Sequence, residues 1–140
     1  MDADPTVSIE GMVHPETQVH DGRVDLTVDR LLAIDEPAHL DFGGSELQLP
    51  ATSPLQPQKR HPDDDYGWWS LEPGTYLIEY NETLIDPPAY IQPRDVLIAG
   101  GGLHASGWID SLERMGLIVE AGLEVKENAR ISTLFLEPPR

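Results

Sequence analysis

The chain has 140 residues, nine basic against twenty-five acidic side chains, no cysteine and a formal net charge of −16. This length suits one domain spanning residues 1–140 and burying roughly two thirds of its unfolded surface, while the charge repels DNA, RNA and anionic lipid. The lack of thiols excludes a disulfide scaffold, a zinc–thiolate site and a cysteine nucleophile.

No apolar run reaches the ~18 residues of a membrane span. The opening Met1-Asp2-Ala3-Asp4-Pro5 has no basic segment of the kind that begins a signal peptide, so the chain reads as soluble and intracellular. Only Lys59 and Lys126 are lysines; the other seven basic residues are arginines. An acidic excess with few lysines keeps a protein hydrated in molar salt, where the Debye length shrinks to ~3 Å, and it points to a salt-loving host.

Thirteen prolines and twelve glycines interrupt every candidate helical period. In chain order, strands are predicted at Arg23 to Val28, Gly74 to Tyr80, Tyr90 to Gln92, Arg94 to Ala99, Gly116 to Val119, Leu123 to Val125 and Ala129 to Leu136. Val28 to Ile34 fits either a helical turn or a continuation of the first strand. Pro50 to Asp65, with four prolines, reads as a loop, and Asp63-Asp64-Asp65 as a solvated bend without the spacing of a calcium loop. Trp68-Trp69 fits core filling or an exposed aromatic anchor. Pro87-Pro88 stiffens a turn. The pattern is an all-β sandwich or barrel. The histidines at 14, 20, 39, 61 and 104 form no i, i+4 pair for a metal, and no nucleophile elbow, P-loop or dinucleotide fingerprint occurs.

Three blocks in order resemble the superfamily of dUTPases and dCTP deaminases, particularly its archaeal branch. They are Gln18-Val19-His20-Asp21-Gly22-Arg23-Val24-Asp25-Leu26-Thr27; Tyr66 to Arg94 with Leu71-Glu72-Pro73-Gly74-Thr75-Tyr76 and Pro93-Arg94; and Gly102-Leu103-His104 through Gly107-Trp108-Ile109-Asp110. Ala129-Arg130-Ile131 is similar to the start of the family's last strand. The resemblance implies a distorted jelly-roll barrel assembling as a homotrimer with nucleotide sites at subunit boundaries. It implies Asp110 as the catalytic carboxylate and Arg94, Asp95, Gly102, Leu103, His104 and Ile109 as nucleotide-binding positions. Mg²⁺ is the implied cofactor of a dUTP diphosphatase. A carboxylate acting as general base toward water at the α-phosphorus needs such charge neutralisation. A carboxylate in Asp110's place also fits a turn cap.

The departures from that pattern all touch nucleotide contacts. Asp95-Val96 stands where the family has two serines, Ile98-Ala99-Gly100 lacks the deaminases' arginine, and Ser111 to Gly116 lacks a tyrosine. Ser132-Thr133 replaces the final strand's glutamine position, and Glu137-Pro138-Pro139-Arg140 holds no glycine-rich arm. Glu120 falls where the deaminases place a glutamate, in a setting that suits an exposed strand end.

Two functions therefore stand at this point. The first is a trimeric structural or assembly module without catalysis or cofactor, cytoplasmic or part of a virion or capsid of a virus of a halophilic archaeon, with no nucleic-acid or membrane contact. The alternative is a Mg-dependent dUTP diphosphatase. The acidic excess generates a direct test: screening relieves self-repulsion, so the melting temperature is expected to rise between 0.1 M and 2 M KCl by scanning calorimetry.

Overall fold

Strand β3 runs unbroken from Arg23 to Glu36, and the other strands of the main sheet are arranged along it. The computed structural model describes residues 8–136; Met1 to Pro5 and Glu137-Pro138-Pro139-Arg140 lie outside them. Before β3 come β1 (Ile9–Glu10), the helical turn α1 (Pro15–Gln18) and β2 (Val19–His20). After it come β4 (Ala51–Pro54), β5 (Trp68–Leu71), β6 (Gly74–Tyr80), β7 (Thr83–Leu84) and β8 (Ala89–Pro93). A second helical turn, α2 (Asp95–Ala99), precedes β9 (Gly102–Leu103), β10 (Gly107–Ile109), β11 (Met115–Val119), β12 (Leu123–Lys126) and β13 (Arg130–Phe135).

The first half of β3 pairs antiparallel with β13 and, at its start, with β2; its second half pairs with β6 and β4. Continuing outward gives the order β10-β8-β13-β3-β6-β11-β9 in one curled, half-barrel sheet. β12–β5 and β1–β7 form two separate ribbons. The result is nearly all-β, the class read from the sequence. Among the described residues no helix is long and apolar enough to cross a membrane.

Alternation along β3 explains the two cores and the polar structure between them. Val24, Leu26 and Val28 face one way and are fully buried, joining Ile91 and Leu134 on one side of the molecule and Leu31, Trp69, Ile78 and Leu117 on the other. Asp25 and Thr27 point the opposite way and are buried too, so their polar atoms need partners inside the protein. Thr27 gives its N–H and its hydroxyl to the buried Glu82, which also accepts from Gln18 Nε2 at 2.8 Å. This knot fastens α1 and the β6–β7 turn to β3, and burial raises the Glu82 carboxyl above its usual range.

One open alternative is decided and several local expectations are corrected. Val28 to Ile34 continues the strand, because both of its edges are taken by β6 and β4. Ala51–Pro54 is a strand inside the stretch read as a loop; the rest of that stretch bends, with Asp64 accepting the His61 N–H. Arg94 to Ala99 is not a strand. Pro93 ends β8, Arg94 remains extended, and Asp95 opens a helical turn, where an acidic residue in the first turn suits the helix dipole. Only Leu97 of that turn is buried, while Val96 and Ile98 are exposed, so the aliphatic run carried no strand periodicity. Trp69 fills the core, its indole N–H donating to the Leu55 carbonyl, whereas Trp68 is half-buried beneath Arg60.

The segment from Gly102 to Asp110 is anchored by a relay through the sheet. Tyr80 OH lies 2.7 Å from Ser132 Oγ, which lies 2.7 Å from His104 Nε2. His104 Nδ1 is 2.8 Å from the Ala105 carbonyl, so that nitrogen carries the proton and Nε2 accepts from Ser132. Burial lowers the His104 pKa and raises that of Tyr80.

A histidine whose folded pKa lies below its unfolded one contributes stability at neutral pH that is lost as pH falls from about 6.5 toward the folded value. Urea unfolding is therefore expected to show wild-type stability decreasing across that window by at most about 1.4 kcal/mol per pH unit from this group. The His104→Gln variant is expected to show a shallower slope.

Candidate functional site

Asp25 is the centre of the strongest charge cluster in the described residues. It sits on β3 directly opposite Thr133 of β13, whose other edge pairs with β8 and so brings the end of β8, Pro93, and the following Arg94 alongside. The Asp25 carboxylate receives Arg130 Nη1 at 3.0 Å and His20 Nε2 at 3.1 Å, with Arg94 Nε at 3.7 Å and the Thr133 hydroxyl at 3.4 Å. A carboxylate withdrawn from water needs this density of donors to be retained there. Arg94 also donates to the Arg130 backbone carbonyl at 3.0 Å, which ties the Arg94 guanidinium to the start of β13.

These residues, with Arg23, Gln92, Asp95 and Val96, line an open cavity of about 400 Å³. Three guanidiniums there outnumber two carboxylates in a chain whose net charge is −16. Arg23 makes no ion pair among the described residues and is exposed. The cavity is thus a local anion-attracting site, wide enough for phosphate groups. Asp95 and Val96 are exposed at its edge, on the first turn of α2.

Asp110 lies elsewhere. It follows β10, is exposed, and makes no hydrogen bond among the described residues. It lines a cavity of about 370 Å³ with Tyr80, Leu112 and Arg114, and these three also border a larger cavity of about 610 Å³ containing Asp29, Glu79 and Glu82. Arg114 and Arg30 both hold Glu79, whose pKa is lowered by these bonds despite its partial burial.

The remaining expected positions are dispersed. Gly102 is packed against Leu97, and Leu103 pairs with Ile118. His104 is committed to its relay and Ile109 pairs with Ala89. Gly102–Leu103 and Gly107–Ile109 pair outward to β11 and β8 instead of with one another, so the segment is not a simple hairpin. Glu120 is exposed beyond β11.

One chain therefore brings Arg94 and Asp95 together and holds Asp110 in a different cavity. Sequence reasoning missed Asp25, Arg23, His20 and Arg130 as members of one cluster. The only signal was a buried-type strand, Val24 to Val28, with a carboxylate on its polar face.

Replacing Asp25 by Asn leaves Arg94 and Arg130 close together without their counter-charge. The expected cost is about 2 kcal/mol in urea unfolding, below the ~3–5 of a fully buried pair because both arginines remain partly solvated.

No family profile matches the sequence. A probable deoxyuridine 5'-triphosphate nucleotidohydrolase of Methanococcoides burtonii is 27% identical over 136 residues, covering 91% of this chain and 76% of that protein. The protein of the same name from Halobacterium salinarum is 28% identical over 128 residues, covering 86% and 76%. Among solved structures, the 2'-deoxycytidine 5'-triphosphate deaminase from Agrobacterium tumefaciens superposes with a TM-score of 0.59 at 13% identity. That superposition covers 92% of this chain, which spans only 43% of the deaminase's length.

Proposed function

We propose that this chain, similar to archaeal proteins named deoxyuridine 5'-triphosphate nucleotidohydrolases and sharing its fold with a dCTP deaminase, is a homotrimeric dUTP diphosphatase, releasing dUMP and pyrophosphate. The observation that supports this reading most is the clustering of Arg23, Arg94 and Arg130 around one cavity in so acidic a chain. Their planar donors suit a phosphate chain, with Arg130 and Arg94 aligned by Asp25 before any ligand arrives.

Asp110, exposed and unpaired among the described residues, is the general base in this reading. It orients and deprotonates the water that attacks the α-phosphorus as the bond to the pyrophosphate oxygen breaks. Because Asp110 and Arg94 line separate cavities, Asp110 comes from one copy and the arginines from its neighbour. No group of three potential metal-ligating side chains exists among the described residues, so Mg²⁺ enters as part of the substrate, a Mg–dUTP complex. There it offsets phosphate charge. That offset matters at Asp95, whose carboxylate about 4 Å from a bare phosphate oxygen costs ~4 kcal/mol at an effective dielectric near 20.

A second reading, a trimeric assembly module without catalysis, for instance in a virion of a salt-loving host, is favoured by one feature. Exposed Asp95 and Val96 offer the cavity no hydroxyl donors.

Incubation with Mg–dUTP and Mg–dCTP separates the two. The enzyme reading expects pyrophosphate from dUTP, no deaminated product, and a rate loss of ~10²–10⁴ in Asp110→Asn. The module reading expects no release above background. Under it, the Asp95→Ser/Val96→Ser variant gains nucleotide binding by ~3 kcal/mol or more.

A further inference from the structure

Between Arg30 and Lys59 the chain carries Asp35, Glu36, Asp41 and Glu46 and no lysine or arginine. Within that stretch, residues 37–50 form an arm joining β3 to β4. His39 and Gln48 exchange backbone hydrogen bonds of 2.8 and 2.9 Å, and the Asp41 carboxylate accepts the N–H groups of Gly44 and Glu46. The arm's own contacts define its shape, yet Leu40, Phe42, Leu47 and Leu49 are all exposed, Phe42 completely and Leu40 at 83%. Four large apolar side chains gathered on a shaped, acidic arm mark a surface that is covered in the working state.

The opposite chemistry lies elsewhere on the same chain. The arginine cavity shares Val96 and Arg130 with an adjoining groove of about 220 Å³, lined also by Trp68, Leu97, Leu123 and Ile131. Arg60 stacks 3.7 Å above the Trp68 ring, with Lys126 at 5.7 Å. Five of the nine basic residues, Arg23, Arg60, Arg94, Lys126 and Arg130, thus border these two adjoining cavities, against three carboxylates, Asp25, Asp95 and Glu124, the last paired with Arg60 at 3.0 Å.

We infer that the arm of one copy of this chain docks on this groove of a second copy. Phe42 and the arm leucines lie against the wall around Trp68 and Val96, and the arm's unbalanced acidic charge faces the groove's basic border. A contact between two different patches is heterologous, and repeating it builds a ring when its rotation closes and an open filament when it does not. The inference goes beyond the triphosphate reading, which needs only the arginine half of the groove and remains possible with any oligomer contact.

The test uses the full chain in 2 M KCl at micromolar concentration. Leu40→Ser/Phe42→Ser removes two solvent-exposed side chains and leaves both cores untouched, so the monomer fold is retained. The expected result is a fall in mass by light scattering from a multiple of the chain mass to a single chain, with an unchanged circular dichroism spectrum. Because the chain has no cysteine, Phe42→Cys and Val96→Cys chains of different tag length can be mixed and treated with a short bis-maleimide. A cross-link between the two tagged species is expected. The inference is overturned by a monomeric wild type, by an oligomer that survives Leu40→Ser/Phe42→Ser, or by cross-links confined to Phe42→Cys with itself. A surviving oligomer that hydrolyses dUTP would sink the arm contact while leaving the diphosphatase reading intact.

Discussion

Burial of β3 on both faces is the constraint from which the rest of this structure follows. A strand with Val24, Leu26 and Val28 on one side and Asp25 and Thr27 on the other cannot leave the polar side without partners once β13 and β6 close over its edges. Thr27 is answered by the Glu82 knot, which holds the helical turn α1 and the β6–β7 turn in place. Asp25 is answered by Arg94, Arg130 and His20, and those partners form the wall of an arginine-rich cavity. The same burial that stabilises the sheet therefore assembles the anion-attracting site.

The charge distribution carries the second part of the account. Nine basic side chains among twenty-five acidic ones leave few places where an anion is welcome. Five of the basic residues border two adjoining cavities, and Arg30 and Arg114 hold Glu79. The carboxylate at Asp110 occupies a separate, more acidic region.

Comparison with the superfamily gives these features their context without dictating them. Archaeal relatives carrying a nucleotidohydrolase name share about a quarter of their residues with this chain over most of its length, and a deaminase shares its fold at much lower identity. Asp95 and Val96 are exposed at the edge of the arginine cavity. The buried residues of the cluster, by contrast, belong to the sheet as much as to the site.

The sequence by itself determined the β class, the ends of β6 and the cores of β8, β11, β12 and β13, because alternation and β-branched residues act locally. It could not settle Val28 to Ile34, whose strand state depends on edges supplied by β4 and β6. It pointed to a strand at Arg94 to Ala99 where three aliphatics in fact follow a strand-ending proline. Gly102, Leu103, His104, Ile109 and Asp110 were visible as a segment, but not that its strands diverge or that His104 is bound inward to Ser132. The arginine cavity was decided only by the tertiary structure. His20, Arg23, Asp25, Arg94 and Arg130 are separated by up to about a hundred residues, and antiparallel registry between β3, β13 and β8 alone brings their charges within reach of each other.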